Sequence, residues 1–377
     1  MIYYLGHYAC EHIAAEKRHA APPAMNKMGY IISVLSRIEK NKSMVISPCE
    51  TELNQYVKGG IFDLNDHMTL KTFDSFRSKN KILRVLGHVW VNFQLLLFLL
   101  THVKSNDTVI VYHSLTLMWI VKILKKIKKC RLIIEVEELY SDVKEDIALR
   151  KKELDYLQIA DKYIMITELL NKEVNLQDKA MIISHGTYQA VPIYGKKIDD
   201  GKTHVVYAGS FNPIKGGAIS AIEAAEFLDE SFVLHILGKG IESDTVTIIE
   251  KIREVSLKSK CNIVYEGYKT GKDFDSFIQS CHIGLSTQQP DGKYNASSFP
   301  SKILMYMSNG LKVVSVRIPA VESSLVGDIL HYYDISSAFE IAKAIKTVSL
   351  ENNVDMIQRL NDLNKEFEIS FLELLKN

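Results

Sequence analysis

The chain has 377 residues, 47 % hydrophobic and 24 % charged, with a formal net charge of +1 at pH 7. This composition excludes a fibrous or disordered chain, and the near-neutral balance excludes a dedicated nucleic-acid binder. The length is too great for one ordinary core and suits two domains.

Along the chain, short β-rich runs alternate with longer helical stretches. Met1–Leu5 reads as a strand followed by polar and charged residues, so no secretory signal peptide is expected. The next loop carries His7, Glu11, His12, Glu16 and His19. Their spacing matches no standard metal site, and a polar loop is the expectation. Further strands are predicted at Ser43–Ser47, Thr108–His113, Arg131–Val136, Lys162–Thr167 and Ala180–Ser184. Helices are predicted at Ala24–Glu39, Ile82–Val103, Leu115–Lys129 and Glu145–Ala160. Val- and Ile-rich strands separated by helices indicate a parallel sheet with helical crossovers. The run Trp90–Leu100 is the longest apolar stretch, contains Asn92 and Gln94, and predicts no membrane span.

The segment Val191–Lys202, VPIYGKKIDDGK, is turn-rich and reads as a linker. The pattern then restarts. Strands follow at Thr203–Ala208, Phe232–Leu237, Asn262–Glu266, Ile283–Ser286 and Lys312–Val316. Helices follow at Gly217–Leu228, Asp244–Ser256, Lys272–Ser280 and Pro300–Asn309, with a closing helix over Asp355–Leu375. The expected organisation is one doubly wound domain over 1–190, a linker over 191–202, a second over 203–354, and a C-terminal helical segment over 355–377 that returns toward the first. Ligands in such sheets bind at the carboxyl ends of the strands, here expected at a cleft between the domains.

Two strand ends and one helix start in the second half suit a ligand. In VVYAGSFNPIKGG, Val205–Gly217, Gly209 permits close passage of a ligand, and Lys215 and Gly216 precede a helix N-terminus. An ordinary strand–turn–helix would read the same way. In LHILGKGI, Gly238 again permits close backbone approach. In NASSFPSKILMYMSNG, Ser297 and Ser298 suit a helix cap, Pro300 its first turn and Gly310 its end, with Lys302 near an anion. Capping alone would demand the same residues. In the first half, Glu137 and Glu138 follow the strand RLIIEV at the expected cleft side; His113 and His185 also sit at strand ends.

The order VVYAGSFNPIKGG, LHILGKG, VYEGY, SSFPSKILMYMSNGLKVVS, PAVES resembles the donor domain of family-4-type (group 1) GT-B glycosyltransferases, over about Thr203–Ser323. ADKYIMITELL with MIISHGTY resembles the end of their acceptor domain. The resemblance implies a GT-B fold, two Rossmann-like domains facing a central cleft. It implies that Lys215 holds the donor diphosphate, that Gly209 and Gly216 permit close approach, and that Tyr268 lies near the base. Ser298, Phe299 and Pro300 would present N–H groups, and His113 would stand on the acceptor side. Ser210 occupies a position where the family usually has arginine. Ser297 and Met305 occupy those of its paired glutamates, and Met305 cannot accept the ribose hydrogen bonds that the second glutamate takes.

The implied activity is metal-independent, retaining transfer from a nucleotide sugar, a UDP-sugar favoured, to a glycan or lipid-linked acceptor in polysaccharide assembly. Lys215 would stabilise the leaving diphosphate, with no metal or cofactor expected. The departures keep two alternatives open: a non-catalytic homologue acting as a binding partner, and a nucleotide-sugar epimerase of the same fold. The five cysteines are scattered without a C-x-x-C pair, which fits reduced thiols in the cytoplasm. Residues 1–180 carry 26 Lys/Arg against 21 Asp/Glu, and the remainder 20 against 24. With the apolar–basic helix WIVKILKKIKKCR, Trp119–Arg131, and the stretch Lys81–Lys104, this basic half suggests peripheral contact with an anionic membrane at the inner face of the plasma membrane. A solvated helix face over an ordinary core is the competing account.

Overall fold

The computed structural model describes residues 1–39, 42–211, 217–289, 297–351 and 354–376, without the side chains of Glu11, His12 and Val143. The chain forms two compact units: residues 1–187 with 366–377, and residues 188–365.

The first unit runs β1 (Ile2–Leu5), α1 (Pro22–Ile38), β2 (Ser43–Ser47), β3 (Tyr56–Val57), β4 (Ile61–Asn65), β5 (Met68–Thr72), β6 (Ser75–Phe76) and α2 (Lys81–His102). It continues through β7 (Thr108–Tyr112), α3 (Met118–Lys128), β8 (Arg131–Val136), α4 (Tyr140–Lys144), α5 (Ile147–Leu157), β9 (Lys162–Met165), α6 (Glu168–Val174) and β10 (Met181–Ile183). The sheet order is β10-β9-β8-β7-β1-β2-β5-β4. Neighbours pair in parallel except β4 with β5. The strands TVIVY and RLIIEV are buried along nearly their whole length, because helices cover both faces of a parallel sheet.

The second unit runs β11 (Thr203–Ala208), α7 (Gly217–Ala224), β12 (Phe232–Leu237), α8 (Glu242–Ser256), β13 (Asn262–Gly267), α9 (Gly271–Ser280) and β14 (Ile283–Ser286). It closes with α10 (Ser301–Ser308), β15 (Lys312–Val316), α11 (Pro319–Glu322), β16 (His331–Tyr333) and α12 (Ala338–Leu350). The sheet order is β13-β12-β11-β14-β15-β16, all parallel. The last helix, α13 (Met356–Lys376), starts in this unit, and its residues from Glu366 onward cluster with the first.

Both sheets are doubly wound. In the first, the order reverses between β1 and β7; in the second, between β11 and β14. The carboxyl ends at such a reversal are splayed by helices leaving to opposite faces, which opens room for a ligand.

The structure departs from the sequence expectations in several places, and α4, α6, α11, β16 and α12 are elements that were not expected. Residues 56–76 hold four short strands where none was expected, because runs of two to five residues broken by polar side chains give little periodicity. The expected linker is bonded along the second unit: Val191 N–H donates to Ser308 O, Tyr194 and Gly195 N–H to Gln279 Oε1, and Ile198 N–H to Ser280 O. The N-cap of α10 is Pro300, which was expected inside its first turn. Finally, α2 is long and apolar enough to cross a membrane, because its apolar character begins at Ile82 rather than Trp90.

Candidate active site

Two groups of side chains gather at the strand ends where the sheets reverse, one in each unit. In the second unit the group is built on backbone and small residues. Gly238, at the end of β12, has φ +142°. A Cβ there would overlap the carbonyl oxygen of Gly209, at the end of β11. Only glycine fits, both by conformation and by space. The same passage is tied by Gly209 N–H donating to Leu237 O (3.0 Å) and Gly238 N–H to Gly267 O (2.9 Å).

Lys302 in the first turn of α10 points at this passage. A Cβ on Gly209 would collide with its Nζ. Nζ donates to Tyr207 Oη at 2.7 Å and lies 3.9 Å from the Tyr207 ring centroid. Burial raises the Tyr207 phenol above its ordinary pKa, so the oxygen stays protonated and accepts from the cation as a neutral group. The placement of α10 is set one turn on. Ala208 N–H donates to Tyr306 Oη at 2.8 Å, and the Tyr306 ring fills the space where a Cβ on Gly284 of β14 would stand. Thr287, after β14, donates its hydroxyl to Gly217 O at 2.7 Å and so fixes the start of α7. The result is a buried β11 end that opens at half-buried Gly209 onto Ser210 in solvent, with a lysine ammonium beside the glycine and a helix start nearby.

In the first unit the group is built on buried charge. Glu135 of β8 is fully buried, and its Oε2 accepts from the Tyr4 hydroxyl of β1. Glu137, two residues on and on the same side of the strand, pairs with Lys27 Nζ of α1 at 3.2 Å. Lys27 Nζ also donates to Ser184 O (2.6 Å) and Ser184 Oγ (2.8 Å). Burial raises the pKa of both carboxyls; the Lys27 ammonium pulls them back down, and for Glu135 the neighbouring Glu137 charge pushes up again. Beside them, His185 donates Nδ1–H to Ile166 O at 2.6 Å. Burial, with Lys27 adding repulsion, lowers its pKa to about 4. A carboxylate pair with raised pKa values at parallel strand ends is a common setting for acid–base chemistry.

The expected residues fall out as follows. Gly209, Gly238 and Lys302 come together, with Ser210 in solvent beside Gly209. Phe299 is buried; Ser298 and Pro300 are half-buried before α10. Tyr268 is exposed, with Lys239 Nζ 3.8 Å from its ring centroid. Met305 is half-buried on α10 and Ser297 is buried. Lys215 and Gly216 lie outside the described residues.

Glu137 joins the buried cluster, and Glu138 is half-buried next to it. His113 does not reach a surface. It is buried, its Nε2 sits 2.7 Å from Glu153 Oε1, and Glu153 accepts Tyr140 N–H and Ser141 N–H at 2.9 Å each. A histidine wedged between Tyr140 and Tyr156 holds the turn after Glu138 instead of meeting an acceptor. Of the early loop, His7 contacts Thr116, His19 contacts Glu52, and Glu16 contacts Arg18. Among the described residues no cluster of three metal-ligating side chains forms.

Sequence reasoning passed over Tyr4, Lys27, Glu135, Tyr207 and Thr287. Glu135 carried a signal: a carboxylate inside an apolar parallel strand needs a partner. Lys27, on an amphipathic helix, carried none.

No family model matches the sequence, and no characterised protein matches it by sequence. Solved structures do match the fold. A trehalose-6-phosphate protein from E. coli bound with UDP-2-fluoro glucose is 12 % identical, with TM-score 0.68 over 99 % of this chain and 97 % of that one. An apo structure of OtsA is 11 % identical with TM-score 0.69, over 100 % and 99 %. A UDP-forming α,α-trehalose-phosphate synthase from Burkholderia xenovorans, in complex with glucose-6-phosphate, is 11 % identical with TM-score 0.63, over 100 % and 99 %. The chain has the GT-B fold, two Rossmann-like units. The likeness does not single out the family-4 type that the motifs resemble.

Proposed function

We propose that the protein is a glycosyltransferase that moves a sugar from a nucleotide donor, a UDP-sugar favoured, to a hydroxyl of a glycan or lipid-linked acceptor in polysaccharide assembly. In this reading it works in the cytoplasm, where a lipid-linked acceptor would bring it to the inner face of the plasma membrane. The observation that carries the proposal is the Gly209–Gly238 passage with Lys302 Nζ against it, at the sheet reversal of the second unit. A diphosphate needs close backbone and a fixed cation, and both stand there. In the reaction, the bond between the anomeric carbon and the diphosphate oxygen breaks, an acceptor oxygen bonds to that carbon with retention, and the nucleoside diphosphate leaves. Lys302, Lys215 and the N–H groups of the first turn of α7 would offset its charge. No step is assigned to a metal. In the first unit, the carboxylate of Glu137 would receive the acceptor proton, with Glu135 and Lys27 setting its charge state.

Support also comes from the neighbours of like fold, one holding UDP-2-fluoro glucose and another glucose-6-phosphate. The test is calorimetric titration with UDP, UDP-sugars and GDP-sugars. The wild type is expected to bind a UDP-sugar, and Lys302→Ala to bind it about tenfold more weakly, one charge-assisted contact being worth ~1.5 kcal/mol. Binding of neither class of sugar nucleotide, or equal affinity in the variant, would sink the site. A second reading, a non-catalytic homologue, is favoured by Ser210 and Met305 at positions where arginine and glutamate are expected. Turnover of any nucleotide sugar by the purified chain removes it.

A further inference from the structure

α2 presents apolar side chains on two opposite faces. At 100° per residue, Ile82, Val85, Val89, Trp90, Phe93 and Leu97 share one arc of about 140°, while Gly87, Val91, Leu95 and Leu99 lie opposite. The second set is buried in the unit. The first set is in solvent: Trp90 is 43 % exposed, Phe93 54 % and Ile82 71 %. A helix apolar all round is normally enclosed, and a continuous exposed apolar stripe marks an interaction surface.

The neighbouring α3 packs against α2 and continues the pattern. Trp119 is 46 % exposed and Ile127 58 %, with Lys122, Lys126 and Lys129 exposed among them. Neither helix contains a single Asp or Glu, and Lys79, Lys81 and Arg84 stand at the exposed start of α2. Trp90 and Trp119 are the only tryptophans of the chain, and both lie here.

We propose that the outward faces of α2 and α3 form a docking surface for an anionic lipid membrane. Aliphatic and aromatic side chains bury into the acyl boundary, tryptophans settle at the head groups, and lysines meet lipid phosphates. A second copy of the chain fits less well, because it would bring the same lysines to the seam, like charge against like. The helix lies on the membrane and does not cross it. Its inner side is bolted down by Gln94, which donates to Asp74 O (2.8 Å) and accepts from Asp74 N–H (3.2 Å), and by Gly87 packed on Phe76 O.

This surface belongs to the first unit alone and stands whether or not the chain transfers sugar, so failure of a lipid assay and failure of a turnover assay are separate results. The experiment is co-sedimentation of the full chain with phosphatidylcholine vesicles, with and without phosphatidylglycerol, alongside tryptophan emission. Sedimentation with the anionic vesicles and a blue shift are expected, both weakened by salt. The double variant Trp90→Glu/Phe93→Glu should lose about tenfold or more in bound fraction with its thermal midpoint unchanged, since both side chains stand in solvent. Lys126→Glu/Lys129→Glu should weaken binding to the anionic vesicles alone. A wild type that stays in the supernatant, a double variant that sediments like it, or a wild-type dimer that the double variant splits would overturn the proposal.

Discussion

The two sheet reversals share one topology and carry opposite chemistry. At β1/β7 the space near the strand ends is filled by ionisable side chains: buried Glu135 on β8, half-buried Glu137 just after it, buried Lys27 on α1 and buried His185 after β10. At β11/β14 the described residues that line it are Gly209, Gly238 and Thr287, with Lys302 beside them. A diphosphate brings its own charge and needs close backbone and a fixed cation. A hydroxyl brings none and needs a group of tuned basicity. The difference teaches that one fold makes an anion site by removing side chains and an acid–base site by burying them.

The contrast can be broken most severely at Lys27. Lys27→Ala leaves buried Glu135 and half-buried Glu137 without their cation, and the first unit should lose about 4 kcal/mol. The loss should be larger at pH 8 than at pH 5, because both carboxyls have raised pKa values and protonation relieves them. Chemical denaturation at the two pH values measures it, and a cost independent of pH would mean the pair is not charged.

On the other side, Gly238→Ala must move the Gly209 carbonyl or abandon the left-handed φ. The second unit should lose about 3 kcal/mol, with donor binding lost as well. A variant with normal stability and normal nucleotide affinity would mean that the passage is loose.

His185 gives the contrast a pH signature. Folded, its imidazole stays neutral down to about pH 4. Unfolded, it takes a proton near pH ~6.5. Between those values the unfolded state binds the extra proton, so stability falls as pH falls, by roughly 3 kcal/mol in all. His185→Gln should remove that part of the acid sensitivity, read from unfolding midpoints across the window.

The smallest effect is expected at Met305. If α10 presents its first turns to the ribose, Met305→Glu should tighten nucleotide binding by a few-fold, about one hydrogen bond's worth. Unchanged affinity by calorimetry would place the ribose elsewhere.

Much of the fold was legible in the sequence. Strands Ser43–Ser47, Arg131–Val136, Thr203–Ala208, Phe232–Leu237, Ile283–Ser286 and Lys312–Val316 end where the apolar runs end, because a strand buried on both faces must be apolar throughout. The glycines that end β11 and β12 were legible for the same reason, as breaks in those runs. What tertiary structure alone decided was partnership. It placed Lys27 of α1 between Glu137 and Ser184, more than a hundred residues away in each case, and no local pattern encodes such a pairing. It turned His113 inward onto Glu153, where the sequence showed only a histidine at a strand end. It also left the apolar stripe of α2 without a cover, since periodicity tells that a face is apolar and only packing decides whether that face is filled.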